Sequence, residues 1–235
     1  MKTTEKNFVI TVDGPSGAGK STISKQIAAR LNLIYIDTGA MYRSVAWAAL
    51  KQGINLTDTV KLDQLLSNIK IRFQATDDKN LVFCNDHDVT TEIRTPQIDQ
   101  LASAVSGVPL VRNALLPLQR EAAQDCPAII DGRDAGTVIF PEAELKIYLD
   151  ADLKARARRR LKDQAGSAQI NLQSVTQAIA DRDAADSSRA QAPLRMADDA
   201  ILIDSTNLTI EDVCEKILQL FHARFDKHDE GSDNE

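Results

Sequence analysis

The sequence predicts an α/β protein: a doubly wound, mostly parallel sheet flanked by helices, with a small antiparallel β insert. Three observations carry that expectation. Short apolar runs rich in β-branched residues alternate along the chain with stretches of helical periodicity, the pattern of a parallel sheet. Several runs end in an acid, at Asp13, Asp37, Asp131 and Asp150, which would share the rim beyond the strands' carboxyl ends, where such sheets bind ligands. Between residues 69 and 91 the periodicity switches to short alternating segments separated by turn residues, so a meander interrupts the βα order.

Phe8 to Val12 reads as the first buried strand. After it, Gly14-Pro15-Ser16-Gly17-Ala18-Gly19-Lys20-Ser21 fills G-x-x-x-x-G-K-[ST] at every fixed position. Ile23, Ile27, Ala28 and Leu31 then recur at helical spacing and supply the strand–loop–helix context the motif needs. Glycines let loop N–H groups close on an anion, and the helix start adds its positive dipole end. Lys20 would then serve the β- and γ-phosphates, and the Ser21 hydroxyl would reach Mg²⁺. A Gly-rich turn that merely caps a helix is the alternative, and the agreement of pattern with context counts against it. The stretch is read as a nucleoside triphosphate site.

Leu33 to Ile36 is the second strand, ending at Asp37-Thr38-Gly39. A helix follows from Ala40 to Gln52, with Met41, Val45, Ala48 and Ala49 on one face and Gly53 as its stop. Asp58 to Leu66 reads as another helix, capped by Thr57. In the meander, Ile69, Ile71 and Phe73 alternate with polar residues before a turn at Asp77-Asp78-Lys79-Asn80. Leu81-Val82-Phe83, a turn at Asn85-Asp86 and a run to Val89 complete it. Helices are expected from Pro96 to Ser106 and from Leu110 to Ala123. Ala128 to Ile130 leads into Asp131-Gly132-Arg133-Asp134, and Leu145 to Leu149 ends at Asp150. An arginine-rich helix spans Leu153 to Leu161, and a further helix runs from Leu172 to Ser188. Ile201 to Ile203 is the last strand, and Thr209 to Phe225 the last helix, with a capping-box-like Thr209/Asp212 pair and a Leu208/Val213 staple. From Asp226 onward the chain is polar and acidic and is expected to be disordered.

Composition narrows the class. A chain of 235 residues suits one large domain or one with inserts, and 43% hydrophobic residues suffice for a core. No apolar run approaches the roughly 18 residues of a membrane span. The segment Met1 to Asn7 is polar, and Asp13 breaks the apolar run after it, unlike a secretory signal. Cys84, Cys126 and Cys214 are far apart and lack C-x-x-C spacing, so they read as reduced thiols of a cytoplasmic protein. A net charge of −6 argues against a non-specific nucleic-acid binder.

That average hides clustered arginines. Arg43 follows Tyr42 after the second strand, Arg112 sits on a middle helix, and Arg133 lies on the Asp131–Asp134 rim. Arg156, Arg158, Arg159 and Arg160 crowd one short helix, where like charges repel unless an anion is bound. Arg182, Asp186 and Arg189 follow at helical spacing. Guanidinium forks match phosphates, so this inventory suits an enzyme gripping two phosphorylated ligands. A GTPase is disfavoured, because N-K-x-D is absent and the only D-x-x-G, Asp163 to Gly166, lies in a polar stretch. Asp131 could pass for the acid of a motor or transporter ATPase, but Arg133 and Asp134 beside it point elsewhere.

Four stretches carry a resemblance to a known family. They are Asp13 to Thr22, Asp37 to Arg43, Asp131-Gly132-Arg133-Asp134-Ala135-Gly136-Thr137-Val138-Ile139-Phe140-Pro141, and Arg182 through Leu194. Together they resemble the bacterial cytidylate kinases, P-loop nucleoside monophosphate kinases that phosphorylate CMP and dCMP. The resemblance covers nearly the whole chain, including the antiparallel insert. Thr38 replaces a commoner serine, and Ala135 stands where methionine is usual. Ala184, Ala185, Ser187 and Ser188 thin out a more charged segment. None of these departures removes a carried-over functional group.

The resemblance implies that Gly14, Pro15, Ser16, Gly17, Ala18, Gly19, Lys20, Ser21 and Thr22 hold the phosphates of ATP, with Mg²⁺ at Ser21. It implies that Arg43, Arg133 and Arg189 hold the CMP phosphate near Thr38 and Tyr42. Ser103, Arg112 and Asp134 would face the cytosine, and Arg182 and Asp186 the sugar hydroxyls, with Asp131 orienting arginines from behind. Lys20, Arg133 and Arg189 would be catalytic. Arg156, Arg158 and Arg160 would belong to a lid, about residues 154–170, that closes over the triphosphate. The expectation is a single P-loop kinase domain over residues 1–225, with an insert at about 68–92 and an acidic tail at 226–235. Its ligands would be ATP and CMP or dCMP, and it would act as a cytoplasmic monomer with no membrane or nucleic-acid polymer as partner.

The chemistry is consistent without the family. An acceptor phosphate has a second pKa of about 6, so it is already largely a dianionic nucleophile at neutral pH. In-line positioning and charge neutralisation then suffice, with no general base. A small-molecule kinase of the shikimate or gluconate type is the alternative, though a hydroxyl acceptor would usually want a carboxylate base. A non-catalytic nucleotide-binding regulator is the other, and it would leave the acceptor-side charges without purpose.

Overall fold

A computed structural model describes residues 7–76, 80–163 and 171–225. Its strands are β1 (Val9–Asp13), β2 (Ile34–Asp37), β3 (Ile71–Ala75), β4 (Asn80–Cys84), β5 (His87–Asp88), β6 (Ala128–Asp131), β7 (Leu145–Asp150) and β8 (Ile201–Asp204). Its helices are α1 (Lys20–Leu31), α2 (Thr38–Lys51), α3 (Thr59–Asn68), α4 (Pro96–Ser106), α5 (Pro109–Glu121), α6 (Leu153–Asp163), α7 (Leu172–Ser187) and α8 (Ile210–Phe225). The chain divides into two units. One comprises Met1–Tyr35, Asp125–Ser188 and Ala192–Glu235; the other comprises Ile36–Gln124 and Arg189–Gln191. The first meander turn at 77–79, the 164–170 end of the expected lid and the 226–235 tail lie outside the described residues.

Parallel pairing organises the first unit. The sheet order is β2-β6-β1-β7-β8, with Val12 in register with Asp131 on one side and Ile147 on the other. β6 is buried along its whole length and β1 from Ile10 to Asp13, which is why both read as unbroken apolar runs. Ile10, Val12, Ile129 and Ile147 pack with Ile23 and Ile27 of α1 and with Val213 and Ile217 of α8. Asp13, Asp131 and Asp150 each end a strand of this unit, and Asp37 ends β2 within the other unit.

The start of α8 is built as expected. The Thr209 N–H and hydroxyl donate to Asp212 Oδ2 at 2.9 and 2.7 Å, and the Asp212 N–H returns to the Thr209 hydroxyl at 3.1 Å. Leu208 and Val213 pack in one cluster.

In the second unit β3, β4 and β5 form the antiparallel meander, with Phe73 opposite Val82. Asn85 and Asp86 turn β4 into β5 at φ 47° and 66°, a conformation these two side chains tolerate. Met41, Val45, Leu62, Val82, Ile93, Val105 and Leu115 lie in one buried cluster drawn from α2, α3, α4, α5, the meander and the turn at Glu92–Arg94. Pro96 and Pro109 sit in the first turns of α4 and α5, where the missing N–H costs nothing.

Two expected helix starts move. The Asp58 carboxylate caps α3 by accepting from the Lys61 N–H at 3.1 Å, whereas Thr57 is held by the Asn55 side chain. α2 starts at Thr38 rather than Ala40, because the Asp37 carboxylate accepts from the Ala40 N–H at 2.7 Å and draws the helix back to the strand. A 3₁₀ turn at Glu92–Arg94 and a π turn at Ala135–Ile139 had no periodicity to announce them. No single described helix is long and apolar enough to cross a membrane.

Candidate phosphate-handling site

The loop after β1 has the conformation an anion cradle needs. Gly14 and Gly17 have φ of 146° and 76°, and a Cβ on Gly14 would fall 2.0 Å from the Leu149 carbonyl oxygen. α1 begins at Lys20 with no side-chain cap and no acid in its first turn, unlike α2, α3, α4 and α7, whose N–H groups are capped by Asp37, Asp58, Thr95 and Asn171. Its amide end is therefore available to a phosphate. Lys20 is buried and its ammonium donates to the Pro15 carbonyl at 2.7 Å. Burial and then Arg133 push its pKa well below the ordinary lysine value, against Asp131 and Asp13, which favour the charge. Ser21 is half-buried and Thr22 exposed at the open end of the loop, and Ala18 is buried beneath it.

Behind the loop, both oxygens of buried Asp13 accept backbone N–H bonds, from Ala135 at 2.8 Å and Gly136 at 2.7 Å. Asp13 thus ties the end of β1 to the π turn that follows Asp134. Burial raises its pKa to about 6, with the two amides opposing. Asp131 accepts from the Tyr35 hydroxyl at 3.3 Å, and Asp134 is buried. Arg133 donates through Nε to Asp186 at 2.8 Å and through Nη1 to the Gly132 carbonyl at 3.2 Å. Asp186, with a side chain only 1% exposed, therefore fixes the Arg133 fork. Arg182 and Arg133 both act electrostatically on Lys20, so this unit gathers three cations and the Asp13 and Asp131 carboxylates.

The expectation that only a bound anion relieves repulsion among the arginines of α6 is corrected. Arg156 is buried and paired with Asp183, and Arg159 donates to the Ser205 carbonyl at 2.6 Å and its hydroxyl at 3.0 Å. Arg158 is exposed and Arg160 half-buried.

A second set stands in the other unit. Asp37 receives Arg43 at 2.9 Å and Arg94 at 2.8 Å on one oxygen, leaving the buried Nε of Arg43 without a hydrogen-bond partner. Thr38 and Tyr42 are buried on the same helix, and the Arg112 guanidinium lies 5.5 Å from the Tyr42 ring centroid. Arg112 donates to the Ser106 carbonyl at 3.2 Å, and Arg189 to the Ser106 hydroxyl at 2.6 Å. Ser103 is half-buried, and its carbonyl takes the Ser106 hydroxyl at 2.8 Å. Ser106, Arg94 and Asp183 were not singled out from the sequence, and Asp13 was read as a rim acid rather than as an acceptor of the Ala135 and Gly136 amides. The Asp183 signal was present, one residue after Arg182.

A glycine-built phosphate loop between a buried central strand and an uncapped helix, at the carboxyl edge of a parallel sheet, defines a P-loop α/β protein. The family model described as cytidylate kinase matches residues 10–223. A curated cytidylate kinase of Bacillus cereus is 41% identical over 224 residues, 95% of this chain and 100% of that relative. One of Syntrophotalea carbinolica is 44% identical over 220 residues, 93% of this chain and 94% of the relative. A solved structure of an uncharacterized protein from Eubacterium ventriosum covers 92% of this chain and 99% of its own at TM-score 0.50 and 11% identity, a likeness of fold alone. The chain belongs to the cytidylate kinase family.

Proposed function

We propose that the chain transfers the γ-phosphoryl group of ATP to CMP or dCMP, giving ADP and CDP or dCDP. The observation that carries the reading is the family match over residues 10–223, which includes the P-loop and both arginine sets. In this proposal Gly14 to Thr22 cradle the ATP phosphates, and Arg158 and Arg160 reach them from α6; Arg156, the third arginine expected there, is held by Asp183 and the Ser16 carbonyl instead. Arg43, Arg133 and Arg189 hold the acceptor phosphate with Thr38 and Tyr42, an assignment favoured by the open Nε of Arg43. Arg182 takes the sugar; Asp186, engaged with Arg133, adds a positioning role to its sugar contact.

Mg²⁺ fits this donor set. Among the described residues no three His, Cys, Asp or Glu side chains gather into a metal cage. A magnesium ion carried by phosphate oxygens needs only one or two protein oxygens, and the Ser21 hydroxyl at the uncapped helix start can supply one. The ion would neutralise charge developing on the phosphates. A monomeric cytoplasmic enzyme, with no membrane or nucleic-acid polymer as partner, completes the proposal.

Incubation with ATP and a panel of nucleoside monophosphates, shikimate and gluconate, scored for ADP, tests the reading. CMP and dCMP should dominate; ADP formed only with a hydroxyl acceptor, or with none, overturns it. Base choice gives a second test. Cytosine offers an N4 donor beside N3 and O2 acceptors, so a carboxylate at Asp134 and a guanidinium at Arg112 suit it and meet uracil with like groups. Such a pair discriminates by about 1–3 kcal/mol. Asp134→Asn should narrow the CMP/UMP ratio of kcat/KM, chiefly by losing CMP activity. An unchanged ratio in a folded variant removes Asp134 from base reading.

A further inference from the structure

A closed ring of three residues, Ser16, Arg156 and Asp183, joins the P-loop to α6 and α7, and none of the roles above uses Asp183. Asp183, on α7, accepts the Ser16 backbone N–H at Oδ1 at 2.8 Å. Its other oxygen, Oδ2, pairs with Arg156 Nη1. Arg156, on α6, returns from the same Nη1 to the Ser16 carbonyl at 2.9 Å, while its Nε is anchored on the Ala151 carbonyl at 2.9 Å. The N–H and the C=O of Ser16 are thus both engaged by one ion pair. Next to it, a Cβ added to Gly17 would come 3.2 Å from both Cβ and the carbonyl oxygen of Arg156, so loop and helix are in direct contact. The two charged side chains are 10% and 17% exposed, and water screens them little.

We infer that Asp183 is a positioning residue that holds the first half of the P-loop and the arginine-bearing helix α6 in one fixed register. The inference rests on the triphosphate reading of the loop. Ser16 directly precedes Gly17, which sits at φ 76°, and both of its backbone polar groups bond to the ring, which supplies their restraint. Arg160 follows Arg156 by one helical turn and lies on the same side of α6, so anchoring Arg156 also sets where Arg160 is presented. Without Asp183, Arg156 would keep the Ser16 carbonyl but lose its counter-charge, and the Ser16 N–H would lose its acceptor. The triphosphate would then meet a loop and an α6 no longer aligned, whereas the Asp37–Arg43 pair is untouched.

Two variants separate positioning from general damage. Asp183→Asn keeps an acceptor for the Ser16 N–H but removes the charge facing Arg156; Asp183→Ala removes both. For Asp183→Ala we expect ADP affinity by calorimetry to fall about tenfold and KM for ATP to rise by a similar factor, as for loss of one charge-assisted contact. KM for CMP should be unchanged, and amide exchange at Ser16 in the ligand-free protein should be faster than in wild type. Asp183→Asn should fall between the two. Unchanged ADP affinity, unchanged Ser16 exchange, or a parallel rise in both KM values each overturns the inference. ADP binding and amide exchange need no acceptor, so a chain that failed to use CMP would still decide the role of Asp183.

Discussion

Replacing Lys20 by alanine is expected to lower kcat by about 10²–10³-fold while leaving the melting temperature unchanged or slightly raised. The two halves of that expectation share one cause. In the structure the Lys20 ammonium is buried beside Arg133 and Arg182, and its one described hydrogen bond goes to the Pro15 carbonyl. Burial and the Arg133 charge disfavour it, as its lowered pKa records, so the folded chain gains little from it. Phosphates reverse that balance. In the proposed reaction, negative charge developing between the β- and γ-phosphates would meet an ammonium already oriented in a water-poor site, where it counts far more than in solvent. Lys20→Arg should not restore turnover, because a planar fork cannot stand in for a compact point charge in a buried slot. The measurements are kcat at saturating ATP and CMP and the melting temperature of each variant. Turnover of Lys20→Ala within about tenfold of wild type would remove the P-loop from the chemistry.

The loop that holds Lys20 was legible because its chemistry is local. Strand, glycines, lysine, hydroxyl and amphipathic helix occupy consecutive residues, and each is required by the conformation of the next. The same locality made the Thr209/Asp212 capping box, the Asn85-Asp86 turn and the helix led by Pro96 readable. The supporting acids were not. Asp183 meets the Ser16 N–H across 167 residues of chain, and Asp13 meets the Ala135 and Gly136 amides across 122 and 123. No spacing rule reaches over such separations, and a single acid at a strand end looks the same whether it faces a ligand or caps a backbone turn. The strand-end acids illustrate this. Of the four, Asp13 satisfies amides, Asp150 bonds the N–H of the next residue, Ala151, Asp131 takes the Tyr35 hydroxyl, and Asp37 serves both the Ala40 amide and two arginines. Helix α6 shows the converse error. Four arginines in five residues imply repulsion when read alone, and the carboxylate that neutralises Arg156 lies on another helix.

Asp37→Ala is expected to destabilise the protein by about 3–5 kcal/mol, the cost of stripping one partner from a buried ion pair. Asp37 and Arg43 have side chains only 6% and 10% exposed, so Arg43 would keep its charge in a dry site with no counter-ion. Arg94, 46% exposed, adds little to that figure. The Ala40 N–H would lose its cap as well. Gly39 is part of the same arrangement, since an added Cβ would sit 3.1 Å from both Arg43 Nη1 and Asp37 Oδ1. For a chain of this length the loss corresponds to a drop of roughly 6–20 °C in melting temperature, and a shift under about 2 °C would contradict it. The pH dependence follows from the same contacts. Burial pushes the Asp37 carboxyl up, but Arg43, Arg94 and the Ala40 amide outweigh it and hold the pKa at about 2, below the ordinary 3.8. A depressed folded-state pKa stabilises above the unfolded value, and that stability is lost as pH falls through the folded one. The stability gap between wild type and Asp37→Asn, which keeps the shape and a cap, should therefore be full above pH 3.8 and close toward pH 2. A gap that stays constant across that window would mean that the ionised carboxylate does not hold the two arginines.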